Sequence, residues 1–184
     1  WSLLALLLLI LTLFTVYFFR NPERSTPVET KAVISPADGK VVFVGEVKED
    51  RFLKDDALKI SIFMSVFDVH VNRVPFSGKV VDMFYRKGEF LNASLDKASD
   101  LNEQSGILLE TEKGKRLLVV QIAGLIARRI VSYPRIGDAL TKGMRYGLIR
   151  FGSRVDIYLP KGTQAAVRTG DRAIGGETII GYME

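Results

Sequence analysis

The first 19 residues, WSLLALLLLILTLFTVYFF, carry sixteen apolar side chains, and no charge occurs before Arg20. Wound as a helix at about 1.5 Å per residue the run measures about 28 Å, close to the roughly 30 Å hydrocarbon core of a bilayer. A transmembrane helix over 1–19 is therefore expected. A secretory signal peptide or a buried core helix are the alternatives, but a signal peptide would have a shorter apolar core, a basic start and a small-residue cleavage site. Arg20, Arg24 and Lys31 follow the run. The positive-inside rule counts only bases, so it puts the rest of the chain on the cytoplasmic face of the cell membrane.

Residues 20–30 include NPERSTPVET, which has two prolines and no apolar period and reads as a linker. From 31 to 184 a single domain is expected, long enough to bury a real core. Its apolar residues alternate, or run in short blocks between Gly and Pro, at 41–47, 58–64, 79–85, 106–110, 116–124, 154–160 and 177–183. These segments are rich in Val, Ile, Phe and Tyr and predict strands. One helix is predicted, over 92–102, with Asn92 as its cap and Leu95, Ala98 and Leu101 on one face. The domain is mainly β.

Two pairs of echoes point to an internal duplication. PADGKVV (36–42) and PFSGKVV (75–81) share P-x-x-G-K-V-V, and GDALTKG (137–143) and GDRAIGG (170–176) share G-D-x₄-G. Each places a turn glycine beside a strand. Two copies are too few for a solenoid and suit a compact duplicated β sandwich.

Absent residues remove whole chemistries. With no Cys and one His, the chain has no thiolate nucleophile, no disulfide and no Cys-ligated metal, and a multi-histidine metal site is excluded. The net charge of +5 is uneven, since residues 113–154 hold ten bases against one acid, Asp138. Such a segment reads either as a solvated face or as a surface for anionic lipid or phosphate. Nucleic acid is disfavoured because no aromatic residues of the RNP kind interleave with the bases.

Gly152 and Ser153 lie between two apolar strand-like runs, where an isolated glycine marks a bend. Taken alone the dipeptide means little. Its context is SPADGKV (35–41), DVHVNRVP (68–75), KGEFLNA (87–93), QIAGLIARRIV (121–131) and RFGSRVDIYLP (150–160), behind FFRNPER (18–24). In that order these motifs resemble the phosphatidylserine decarboxylase family, and most closely its short branch with a single His. The longer members have a second His where this chain has Arg73, and LGST where it has FGSR.

The resemblance implies that the chain cleaves itself between Gly152 and Ser153 into 1–152 and 153–184, and that Ser153 becomes a pyruvoyl group. It implies a duplicated barrel-sandwich-hybrid, lipoyl-like fold. It also implies decarboxylation of a phosphatidylserine-type lipid at the membrane, with ester or ether backbone open, by a heterodimer of the two cleavage chains. The pyruvoyl cofactor would take up the electrons released as CO₂ leaves. No metal is implied. His70 becomes the candidate proton carrier and Asp38 a second catalytic candidate, either of which could activate Ser153, while Arg128, Arg129 and Asn92 become candidates for headgroup binding. A homo-oligomer is left open. The competing reading is a non-enzymatic, membrane-anchored hybrid-sandwich adaptor.

Overall fold

The apolar run folds as α1 (Ser2–Phe18), 17 residues long, in a computed structural model that describes residues 1–88, 102–124 and 129–184. At about 1.5 Å per residue, its 17 residues rise about 25 Å. Among the described residues no helix is long and apolar enough to cross a membrane, which corrects the expected 1–19 span. Phe18 is 1% exposed and packs into the β structure, so the last turn belongs to the fold while nearly all of the helix before it stands exposed.

Fourteen strands follow among the described residues: β1 (Ala32–Ile34), β2 (Gly39–Glu49), β3 (Asp55–Met64), β4 (Val71–Arg73), β5 (Gly78–Arg86), β6 (Gln104–Glu110), β7 (Arg116–Ala123), β8 (Ile130–Ser132), β9 (Ala139–Leu140), β10 (Arg145–Ile149), β11 (Ser153–Pro160), β12 (Gln164–Ala165), β13 (Arg172–Ala173) and β14 (Ile179–Tyr182). The seven segments predicted from alternation each coincide with one of the longer strands or with β14. Of the predicted helix 92–102, all but Asn102 lies outside the described residues, Asn92 included.

The chain builds an antiparallel eight-stranded sheet in the order β13-β2-β3-β11-β7-β6-β5-β9, with two three-stranded sheets, β1-β14-β12 and β4-β10-β8. Strand alternation divides the apolar residues between two clusters. On β7, Leu117 and Val119 join the main core with Val155, Ile157 and Leu159 of β11, while Leu118, Val120 and Ile122 point to a second cluster containing Phe84 and Tyr158. Full burial of each such side chain contributes about 1.5–3 kcal/mol, so the sheet is held from both sides.

The sequence echoes turn out to pair crosswise. The first G-K-V-V copy, opening β2, pairs with the second G-D copy, in β13, and the second, opening β5, pairs with the first, in β9. The hydrogen bonds repeat in kind. Val41 N–H donates to Asp171 O and Gly170 N–H to Val41 O, as Val80 N–H does to Asp138 O and Gly137 N–H to Val80 O. Between the copies, Ile34 N–H of β1 donates to Pro75 O while Arg73 N–H of β4 donates to Pro36 O. Two copies thus exchange partners about a pseudo-twofold axis, and neither edge forms alone.

The basic segment does not make one face. Arg154 is buried against Asp156, Arg116 pairs with Glu110, Arg145 pairs with Glu23, and Lys142 caps the carbonyl of Glu29. Strand alternation disperses the charges, as expected of side chains on opposite faces of a sheet.

Candidate active site

Between β10 and β11 the chain must turn sharply to enter the middle of the large sheet. It does so through two successive left-handed residues, Phe151 at φ 55° and Gly152 at φ 63°. A Cβ on Gly152 would meet nothing within 4 Å, so glycine is needed here for its backbone angle and not for space. For Phe151 the same angle costs about 1–2 kcal/mol, which its ring must recover by packing. Its ring does so by stacking on Phe18, with centroids 4.4 Å apart at 29°. The scissile pair suggested by the sequence therefore sits where a strained turn meets the first residue of a central strand.

Ser153 is fully buried and is paired in the ladder with Met64 of β3 and Ala123 of β7. Its Oγ lies 3.5 Å from Met64 Sδ, a weak acceptor, which Asn72 Nδ2 also approaches at 3.7 Å. Gln121 Nε2 in turn donates to Asn72 Oδ1 at 2.8 Å. Buried polar side chains thus line this end of the sheet in a connected chain.

His70 comes to the turn from the segment between β3 and β4. Asp68 fixes that segment by accepting hydrogen bonds from Ser65 N–H and Ser65 Oγ at 2.8 and 2.7 Å and by pairing with Arg172. The Asp68 carbonyl accepts from His70 Nδ1 at 3.0 Å, and Gly152 N–H donates to His70 Nε2 at 3.2 Å. A carbonyl can only accept and an amide N–H can only donate, so these partners assign the proton to Nδ1 and make the Nε2 lone pair the acceptor of the Gly152 N–H. His70 and Gly152, 82 residues apart in sequence, are in direct contact.

The imidazole is 2% exposed, and Phe18 covers it at a centroid distance of 4.2 Å. Burial penalises the imidazolium and lowers the His70 pKa to about 4, with Arg20 adding to the effect and Asp68 opposing it. Because a folded-state pKa below the unfolded value keeps the ring neutral, this burial contributes stability that is complete above about pH 6.5 and is lost as pH falls toward 4, about 3 kcal/mol in all. Replacing Phe18 by Ala removes the cover. We expect F18A to raise the His70 pKa by about a unit or more toward the ordinary value. The chain has one His, so a single imidazole resonance followed by NMR against pH reads it directly; an unmoved titration would show that Phe18 does not exclude water.

Asp38 does not join this group. Arg24 Nη2 lies 2.8 Å from its Oδ2, and Gly175 N–H donates to Oδ1 at 2.7 Å. Its carboxyl is pushed above the ordinary value by burial, with the Gly175 hydrogen bond and Arg24 pulling the other way. Among the described residues no hydrogen bond joins Asp38 to His70 or Ser153; instead it ties the linker to the fold. Arg129 is exposed, with its carbonyl accepting from Arg150 N–H at 3.3 Å, and Arg128 and Asn92 lie outside the described residues. No three acidic or imidazole side chains converge as a metal site among the described residues.

Several residues at the site carried no function in the sequence reading. Phe18 was part of a uniform apolar run, whereas Asp68, Asn72 and Gln121 stood inside quoted motifs whose polar members do not mark themselves as buried. Two cavities lined by described residues bear on the placement of the site. The larger, about 280 Å³, is lined by residues such as Arg51, Phe84 and Tyr158 and touches none of the candidate catalytic side chains. The smaller, about 160 Å³, opens beside His70 under Phe18 and Phe19.

Comparison with known proteins covers nearly the whole chain. The model of the phosphatidylserine decarboxylase family matches residues 11–181. A phosphatidylserine decarboxylase proenzyme of Syntrophotalea carbinolica is 63% identical over 184 residues, covering all of this chain and 86% of the relative. Proenzymes of the same name from Geotalea uraniireducens and Geobacter metallireducens are 56% and 59% identical, covering 100% and 94% of this chain and 85% and 79% of theirs.

Proposed function

This chain belongs to the phosphatidylserine decarboxylase family, and from that membership we propose that it matures by cutting itself between Gly152 and Ser153, with His70 as the base. The chain is a phospholipid decarboxylase acting on phosphatidylserine. The adaptor reading does not survive relatives of this identity. The observation that carries the processing step is the hydrogen bond from Gly152 N–H to His70 Nε2 at 3.2 Å, within a turn of two left-handed residues.

Ser153 Oγ attacks the Gly152 carbonyl carbon, and the C–N bond breaks as an ester forms, leaving Ser153 with a free amine. Serine is a weak nucleophile at its free pKa and needs a base for this. His70 is suited to it because its Nε2 already touches the scissile pair, stays neutral down to about pH 4, and takes the Ser153 proton once the single Gly152 N–H contact opens. Asp38 is not, since Arg24 and Gly175 already occupy its oxygens. Loss of the Ser153 α-proton then expels the Gly152 carboxylate, and the resulting enamine takes up water and releases ammonia, leaving a ketone at residue 153.

The residues present fit such a group. Cleavage makes residue 153 the first of β11, held on both sides by β3 and β7, so the new terminus stays in register. The pyruvoyl group supplies an acceptor for the electrons left when CO₂ departs. Around it the chain excludes water with Phe18 and Phe151, and desolvation of a carboxylate favours its loss as CO₂. His70 is the sole imidazole available to return a proton to the product. The two products remain one particle on this reading, because β11, β13 and β14 of 153–184 pair with β3, β7, β2 and β1 of 1–152. The exchanged repeats are what a duplicated hybrid sandwich requires.

α1 supports a place for the chain at the membrane. A helix apolar on every side and exposed along almost its whole length has no aqueous environment that suits it. Its insertion into the cytoplasmic leaflet would hold the site against its lipid substrate. Flotation with phosphatidylserine vesicles tests this: the wild type should rise with the lipid, and a Leu7→Asp, Leu11→Asp double variant should stay in the dense fraction. Equal flotation of the two would remove α1 as anchor.

Intact-mass measurement of active protein tests the processing itself. Two chains, 1–152 and 153–184, with the second blocked at its N-terminus by a ketone, are expected together with CO₂ release from phosphatidylserine. A single chain of full mass that releases CO₂ would sink the pyruvoyl mechanism.

A further inference from the structure

The smaller cavity holds a feature that proton transfer at His70 does not use. Its walls include Phe18, Phe19, His70, Tyr133, Leu148 and Arg145. Arg145 lies on β10, which pairs with β4, so strand register brings this base to the same cavity as His70. Its Nη2 meets Glu23 Oε1 at 2.6 Å, but the Glu23 side chain is 89% exposed, and its Nε is buried with no hydrogen-bond acceptor. Ion pairs with so exposed a partner are weak and readily exchanged.

A second cation strengthens the field. Arg73 donates to the carbonyls of Gly143 and Pro22, at 3.0 and 2.7 Å, so its hydrogen bonds are satisfied while its charge is not neutralised by them. Arg73 and Arg145 are close enough to act on each other electrostatically, with Glu23 beside both. With Arg24 paired to Asp38 and Glu177, and Arg145 paired to the exposed, displaceable Glu23, it is Arg145 that presents a cation to a cavity walled by Phe18, Phe19 and Leu148.

Resting on the decarboxylase reading, we infer that Arg145 binds the phosphodiester of the lipid headgroup and that Glu23 occupies its place until substrate arrives. Phosphatidylserine carries two anions, and the chemistry separates them. The carboxylate must lose its charge as CO₂, so an arginine on it would stabilise the ground state more than the transition state and slow the reaction. The phosphodiester keeps its charge throughout, and a guanidinium fork matches its oxygens. The cation at the rim takes the phosphodiester, and the carboxylate goes to the apolar end near His70 and Phe18.

Kinetics on processed enzyme with dihexanoyl-phosphatidylserine test this, with dihexanoyl-phosphatidylglycerol, which has the phosphodiester but no serine, as competitive inhibitor. R145Q is expected to raise KM roughly tenfold or more with kcat nearly unchanged, to raise the inhibitor's Ki in parallel, and to be partly rescued by R145K. E23Q should lower both constants. A wild-type KM in R145Q overturns the assignment, as does a loss confined to kcat. A raised KM with an unchanged Ki would give Arg145 to the carboxylate and equally overturn it. Should R145Q fail to mature, E23Q decides, and constants at the wild-type level in that variant would reject the site. A wild type that never cleaves and releases no CO₂ would instead refute the decarboxylase mechanism, while phosphatidylglycerol binding by that uncut chain, weakened in R145Q, would still support the subsite.

Discussion

Ser153→Ala is expected to leave a single chain of 184 residues that releases no CO₂ from phosphatidylserine at any lipid concentration. The argument depends on the substitution being silent for the fold. Ser153 is buried at the start of β11, and among the described residues its Oγ has only the soft sulfur of Met64, at 3.5 Å, as partner. Removing a hydroxyl from so weak a bond costs about 1 kcal/mol or less, and Ala fits the space. Thermal unfolding should therefore stay within a few degrees of the uncleaved wild type, which separates lost chemistry from lost structure. Full loss is expected, not a large decrease, because the same atom is both the nucleophile that cuts the chain and part of the residue that becomes the electrophile. Measurable turnover by a well-folded S153A protein would mean that residue 153 is not the source of the cofactor.

How far the sequence leads depends on the range of the forces that set each feature. Period-two alternation is local, so the strands around 58–64, 116–124 and 154–160 are legible in it, and the repeated G-K-V-V and G-D motifs announce duplication. That the copies exchange partners is not legible, because the pairing of Val41 with Asp171 and of Val80 with Asp138 is decided across the whole sheet. Two- and three-residue strands such as β4, β9 and β13 are too short to show a period, yet β4 supports His70 and β13 carries Arg172. Phe18 is indistinguishable from its neighbours in a run of apolar residues, and only its contacts with His70 and Phe151 show that the last turn of the run belongs to the fold. Arg145 is one of ten bases in 113–154, and which of those reaches a cavity depends on register against β4. Asp38 shows the converse: the motif drew attention to it, but Arg24, on the linker, claims its carboxylate.

His70→Ala should slow self-cleavage by roughly 10²–10⁴-fold, the usual worth of a positioned general base. His70 is the only imidazole, and it touches the scissile pair through Gly152 N–H, so no neighbouring ring can substitute for it. Loss of a buried ring packed against Phe18 also leaves a void, so slow cleavage could come from a loosened turn and not from a missing base. The pH dependence of the wild type tells these apart. With the pKa lowered to about 4, the neutral form predominates at every pH well above 4, and the cleavage rate should be level from about pH 8 down to about pH 5 before falling as Nε2 takes a proton. An exposed imidazole would already be losing activity near pH 6.5. In F18A, where water reaches the ring, the fall should move to higher pH, whereas a purely structural role for His70 would leave the midpoint where it was. A wild-type cleavage rate in H70A would return the residue to the core and require another base for Ser153.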